Sequence, residues 1–305
     1  MAAAAIFFAI VVLCFTPFFS PPLALLSGIV LSQTLGHPFP FFNRRAIPLL
    51  LQLSIIGLGF GINLYDAAEV GKEGFWLTVI TIVATLGVGW LAGKWLKLNK
   101  NISLLIAVGT AICGGSAIAA ISPIVDAKEE EMTMALGTVF VLNAIALIIF
   151  PIFGHAFELS QSQFGVWSAI AIHDTSSVVG AAQTFGHEAL KIATTVKLGR
   201  ALWIVPLSLV IAIALNKDKK VKFPCFILLF VVAMTFNTFS TQVHSIGTWI
   251  VPVAKKGMTL TLFLIGTGLS LSSIKMVGTK PLLLGIGLWL LIAVVSLALI
   301  IYTSL

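Results

Sequence analysis

The chain has 305 residues, 59% of them hydrophobic and 10% charged, with a mean hydropathy of +1.09 and a formal net charge of +7. A soluble domain carries about 25% charged residues, so this composition excludes a soluble enzyme and demands an integral membrane protein. The excess of positive charge, a nucleic-acid signal in a soluble protein, is explained here by membrane topology.

Apolar runs recur along the whole length, and a bilayer asks for roughly 20 apolar residues per helix. On that ruler the fold is all-α, a single polytopic membrane domain over residues 1–305. Eleven transmembrane helices are expected, at Ala2–Thr16, Pro22–Leu35, Ala46–Tyr65, Phe75–Leu96, Ile102–Pro123, Met132–Phe153, Gln163–Phe185, Ala189–Leu215, Phe223–Phe239, Gly247–Leu271 and Pro281–Thr303. The first lacks the basic region and small-residue cleavage site of a signal peptide and reads as a retained span. Cys14, Cys113 and Cys225 lie in apolar segments without metal-ligand spacing, which predicts free thiols, no metal site and no cofactor.

With the N-terminus cytoplasmic, eleven basic residues fall in inside loops: Arg44, Arg45, Lys94, Lys97, Lys100, Lys217, Lys219, Lys220, Lys222, Lys275 and Lys280. Three fall outside, Lys72, Lys128 and Lys191. This is the asymmetry of a positive-inside protein, and the odd span count leaves the C-terminus periplasmic.

The fifth span carries TAICGGSAIAAIS, Thr110–Ser122, followed by Pro123. A Gly-Gly break at membrane depth is tolerated only where the backbone lines a protein-enclosed cavity. The half-helix restarting near Ser116 would then turn free N–H groups and a positive dipole end into it, an anion-binding design. The alternative is that Gly114, Gly115, Ser116 and Ala117 simply permit tight helix packing. In the seventh span, IHDTSSVVGAA sets His173 and Asp174 side by side, ahead of Thr175, Ser176 and Ser177. That is a candidate proton relay or ion site, with Asp174 alternatively a counter-ion for Lys197 or Arg200. Arg200 lies about 16 Å into the eighth span, with Lys197 on the same face.

In the tenth span Pro252 and Gly257 bracket Lys255 and Lys256, which predicts a second broken helix with two cations at its break; a loop pair between shorter helices is the alternative. Asn63, Asn143 and Asn237 are expected to hydrogen-bond between helices, and Glu129–Glu131 to form a solvated cap on the sixth span. Leu51–Ile62 resembles Leu260–Leu271, sharing a Gly-x-Gly pair in spans three and ten. A different register pairs spans two to six with seven to eleven and puts the expected breaks, in spans five and ten, at equivalent places; that register is preferred.

AICGGSAIAAISP, IHDTSSVVGAA and KLGRALWIVP together resemble the YeiH family of bacterial inner-membrane proteins, labelled sulfate exporters, over nearly the whole chain. That family is similar to the bile acid/sodium symporter-like transporters. The resemblance implies two inverted five-helix repeats (21–155 and 156–305) with two crossing discontinuous helices, core and panel subdomains, and one extra N-terminal helix (1–20). The CGGS stretch resembles the crossover motif of those symporters, but the polar pattern of their sodium sites is absent.

The leading expectation is a secondary active transporter of a small anion (a sulfate-like sulfur oxyanion, a sulfonate or a carboxylate) in a bacterial inner membrane. It would work by alternating access, in the export direction implied by the resemblance. Substrate would bind at Cys113, Gly114, Gly115, Ser116, Arg200, Lys255 and Lys256, and His173, Asp174, Ser176 and Ser177 would couple protons. A cation/proton antiporter using Asp174 and an anion channel are the alternatives. A membrane-embedded hydrolase with Ser116, Ser176 or Cys113 as nucleophile is disfavoured, because adjacent His and Asp point about 100° apart on a helix; no enzyme is expected. The chain contains no phosphate-binding loop for ATP. Expected partners are the anionic substrate and the lipid bilayer, with no nucleic acid; a homodimer is left open.

Overall fold

A computed structural model describes residues 2–36, 39–215, 225–269 and 277–303. Among them every regular element is a helix: α1 (Ala2–Leu13), α2 (Pro21–Thr34), α3 (Pro40–Gly59), α4 (Leu64–Trp95), α5 (Lys100–Ala111), α6 (Gly115–Ile121) and α7 (Glu129–Ala156). These are followed by α8 (Gln161–Ala171), α9 (Thr175–Phe185), α10 (His187–Leu202), α11 (Ile204–Ala214), α12 (Cys225–Phe239), α13 (Thr241–Gly268) and α14 (Thr279–Thr303). Five stretches are long and apolar enough to cross a membrane: Phe75–Trp95, Glu129–Ala156, His187–Ala214, Ser245–Gly268 and Thr279–Tyr302. Four further apolar helices are shorter than a span.

The helices sort into two groups by contact. In one, α13 packs against both α2 and α3, and α12 lies on α3. In the other, α4 packs on α5, α5 on α7, α8 on α10 and α14, and α10 on α4. α9 bridges them, touching α7 and α10 on one side and α2 and α13 on the other.

The expected break in the tenth span does not occur. α13 runs unbroken for 28 residues through Pro252, Lys255, Lys256 and Gly257. Proline and glycine disfavour helix locally, but α2 and α3 hold α13 along its length. Between α2 and α13 the backbones nearly touch: a Cβ on Gly28 would meet the Phe263 carbonyl oxygen at 2.3 Å, and one on Gly266 the Leu25 carbonyl oxygen at the same distance. This is the small-residue packing that membrane helices use in place of hydrophobic drive, and here it overrides the local signals.

The second interruption lies in the seventh span instead, between α8 and α9. The 28-residue α7 stands between the two interrupted helices, so both run in the same direction. The reason for pairing spans two to six with seven to eleven, matched breaks in spans five and ten, therefore disappears. Elsewhere the polar stretch before Phe75 continues α4 and is not a loop. Glu131, expected to be solvated, is buried; its carboxylate accepts from the Lys128 N–H and from the Asn101 amide, each at 2.9 Å, tying α7 to α5. The predicted inside charges Lys217, Lys219, Lys220, Lys222 and Lys275, and the side chains of Arg44 and Lys72, lie outside the described residues.

Candidate functional site

The first interruption opens where α5 ends at Ala111. Gly114, the residue before α6, adopts φ 64° and ψ −123°, a region open only to glycine. The second opens where α8 ends at Ala171. There Asp174 caps α9: its carboxylate accepts from the Ser177 N–H at 3.1 Å and from the Ser176 hydroxyl. The two interruptions meet, since a Cβ on Gly114 would lie 3.4 Å from both the Asp174 Cβ and the His173 carbonyl carbon. They also match in sequence, Ala111-Ile-Cys-Gly-Gly-Ser116 against Ala171-Ile-His-Asp-Thr-Ser176.

Breaking a helix leaves the last carbonyls of its first half without partners, and inside a membrane no water is there to serve them. α10 supplies both remedies from one face. Lys197, fully buried, donates from Nζ to the Ile172 carbonyl at 2.6 Å and to the Ala169 carbonyl at 3.2 Å, closing the end of α8. Arg200, also buried, donates from Nη2 to the Ala111 carbonyl at the end of α5, and from Nη1 to Thr81 Oγ1 on α4 at 3.4 Å. Cations at helix C-termini also meet the negative dipole end. Their hydrogen-bond partners are carbonyls and a hydroxyl, and Asp174 acts on Lys197 through its charge and not through a hydrogen bond.

Polar groups without partners gather at the same place. Both ring nitrogens of the fully buried His173, Asp174 Oδ1, Asn143 Nδ2, Thr110 Oγ1 and Arg200 Nε are buried with no hydrogen bond. Asn143 Oδ1 accepts from the His173 N–H at 3.0 Å, fixing α7 to the second interruption. Two cations against one carboxylate leave a centre of net positive charge, the positive N-terminal end at each break being offset by the negative C-terminal end of the half before it. Such a centre can stabilise an anion; a free cation would be repelled.

The structure thus brings together Cys113, Gly114, His173, Asp174, Ser176, Ser177 and Arg200. The Cys113 thiol lies beside the start of α6 and within the field of Lys197 and Arg200. Gly115 opens α6 facing the Phe140 ring, and Ser116 is exposed. Lys255 and Lys256 have their neighbours elsewhere. Lys256 Nζ donates to the Thr16 carbonyl beyond α1. Lys255 lines a cavity against α3 and the first turns of α10 with His187 and Lys191. Lys191, expected in an outside loop, is therefore a helical residue facing that cavity. Asn237 hydrogen-bonds the Ile62 carbonyl across helices at 3.2 Å as expected, whereas Asn63 caps α4 by accepting from the Tyr65 N–H at 2.8 Å. Neither nitrogen of His173 holds a serine or cysteine, so no nucleophile–base pair is formed with it.

The family model described as Conserved hypothetical protein 698 matches residues 1–285. A UPF0324 membrane protein of Bacteroides thetaiotaomicron is 51% identical over 92% of this chain and 86% of its own length. Similar proteins of Vibrio parahaemolyticus and Geobacter sulfurreducens are 48% and 44% identical, each over 93% of this chain and over 94% and 92% of their own lengths. No solved structure matches.

Proposed function

Because the chain belongs to the UPF0324 family of membrane proteins, in keeping with the YeiH resemblance of its three motifs, we propose that it is a secondary transporter of a small anion. The observation that carries the reading is the pair of interrupted helices meeting at Gly114 and His173–Asp174. Two buried cations there hydrogen-bond carbonyls and a hydroxyl and outnumber the one carboxylate beside them. Interrupted helices at membrane depth supply the exposed backbone groups and dipole ends that a bundle of whole helices lacks. The substrate, a sulfur oxyanion, sulfonate or carboxylate, binds beside Cys113–Ser116 under the field of Lys197 and Arg200. His173 and Asp174, with unpartnered buried atoms, carry the coupling proton.

The reading is of a transporter and not an enzyme, built as a single membrane domain. The two inverted five-helix repeats (21–155 and 156–305) with one extra N-terminal helix stay part of it on the strength of the resemblance, without the matched breaks in spans five and ten. The chain is set in the bacterial inner membrane with its N-terminus cytoplasmic and C-terminus periplasmic, as its basic residues suggest; a C-terminal reporter active only in the cytoplasm would contradict that orientation. Counterflow of labelled anion into proteoliposomes preloaded with the unlabelled anion tests the function itself. Accumulation above protein-free vesicles is expected, and its absence across all three anion classes overturns the reading.

A further inference from the structure

The cavity that holds Lys255 lies where α10 meets α3 and α13, away from the interrupted helices. Its volume is about 40 Å³, and its polar lining is His187, Lys191, Thr194 and Lys255, with Leu58 and Val251 among the apolar walls. The spacing explains the convergence. His187, Lys191 and Thr194 fall on one stripe of α10, four and then three residues apart, and Val251 and Lys255 on one stripe of α13. Among the described residues no carboxylate lines the space. Glu188 adjoins His187 and is the acid within its electrostatic reach among the described residues, while His187, Lys191 and Lys255 all feel one another's charge. The Thr194 hydroxyl is already spent on the Leu190 carbonyl at 2.7 Å, and the Gln161 carbonyl oxygen accepts from the Glu188 N–H at 2.9 Å. The donors left to a guest are therefore the two ammonium groups and the imidazole.

Ammonium groups facing one small space with no acid among its lining repel each other, and an anion between them relieves that repulsion. We propose that His187, Lys191 and Lys255 form a second anion site, one that takes a single tetrahedral oxyanion group, at the seam between α10 and the α3–α13 pair. A cavity of this size holds roughly three waters' worth of guest. That suits a sulfate- or phosphate-sized group and excludes a nucleotide. Three donors converging from two helices suit an oxyanion, which accepts at several oxygens, better than a halide. The group is either a free oxyanion or the phosphate of an anionic lipid lying along the seam. Because α9 also packs on both helix groups, a guest here would clamp α10 to α3 and α13. The site is a matter of binding and stands whether or not the protein transports.

The test uses purified full-length protein and the double variant Lys191→Met with Lys255→Met. Lys191 is exposed and Lys255 half-buried; methionine keeps most of each apolar stem, so the variant is expected to fold. Labelled sulfate binding is measured at equilibrium, and melting temperature is measured in micelles with phosphatidylglycerol against phosphatidylcholine. Sulfate also enters the site of the interrupted helices, so removing two charged donors should leave about one of two bound sulfates per protein, the other weakened by about tenfold or more, or else abolish the stabilisation specific to phosphatidylglycerol. The first result assigns a free oxyanion and the second a lipid phosphate. Unchanged responses to both would overturn the site. Counterflow by the wild type is read separately, so failure of this site and failure of the transport reading are distinguishable.

Discussion

Replacing Lys197 by methionine should lower stability by about 2–6 kcal/mol, because the Ile172 and Ala169 carbonyls would each lose a charged donor at a cost of about 1–3 kcal/mol. Buried ion pairs exchanged for apolar residues are often neutral, but there both partners leave together. Here the acceptors are backbone atoms that cannot be removed, at the negative end of α8. Arg200→Met should behave alike through the Ala111 carbonyl. The measurement is the melting temperature of purified protein without ligand. A cation serving only an anion site would leave that temperature at or above wild type, since its removal relieves repulsion. A clear fall in both variants identifies the cations as caps that also set the positive field, and no fall in either would refute the capping account.

Gly114→Ala should abolish transport where Gly115→Ala does not. At Gly114 the backbone has φ 64° and ψ −123°, where an L side chain costs about 1–3 kcal/mol. Its Cβ would also crowd the Val139 side chain at 3.2 Å, with the second interruption at contact distance, 3.4 Å, so the backbone conformation is what sets this position apart. Relief means rotating Gly114, which parts the two interruptions. A Cβ on Gly115 meets only side-chain ends, the Phe140 ring at 3.2 Å and Leu136 at 3.4 Å, which can shift. Flux in proteoliposomes, normalised to folded protein, separates the two. Equal flux from both variants would mean that the Gly114 conformation has no part in transport.

How much of this could be read in the sequence differs from one interruption to the other. The first was legible because two adjacent glycines before a serine weaken a helix at one point, although small residues also serve helix packing. The second was not, although Asp174 followed by three hydroxyl residues is a helix-start signal. In an apolar span it reads as a polar site, and only its likeness to Ala111–Ser116 could have marked it. Pro252 and Gly257 misled in the opposite direction, because contact of α13 with α2 and α3 is non-local and outweighs both. That Lys197 and Arg200 are buried was legible from their place within an apolar span. Their partners were not, because backbone carbonyls at a helix end carry no residue-type signal. Lys191 looked like a loop charge because the turn at Gly186 is tight, and α10 begins at His187.

The central claim, that the meeting of the interrupted helices is a coupled anion path, is tested most directly by counterflow and pH-gradient-driven uptake compared in wild type and Asp174→Asn. Asparagine caps a helix about as well as aspartate, so the start of α9 is kept while the charge and the titrating oxygen are lost. Wild-type vesicles should accumulate labelled anion in both assays. Asp174→Asn should retain counterflow and lose the response to the pH gradient. Uptake by Asp174→Asn equal to wild type under that gradient would contradict coupling at this site, and no counterflow by either protein would contradict the path itself.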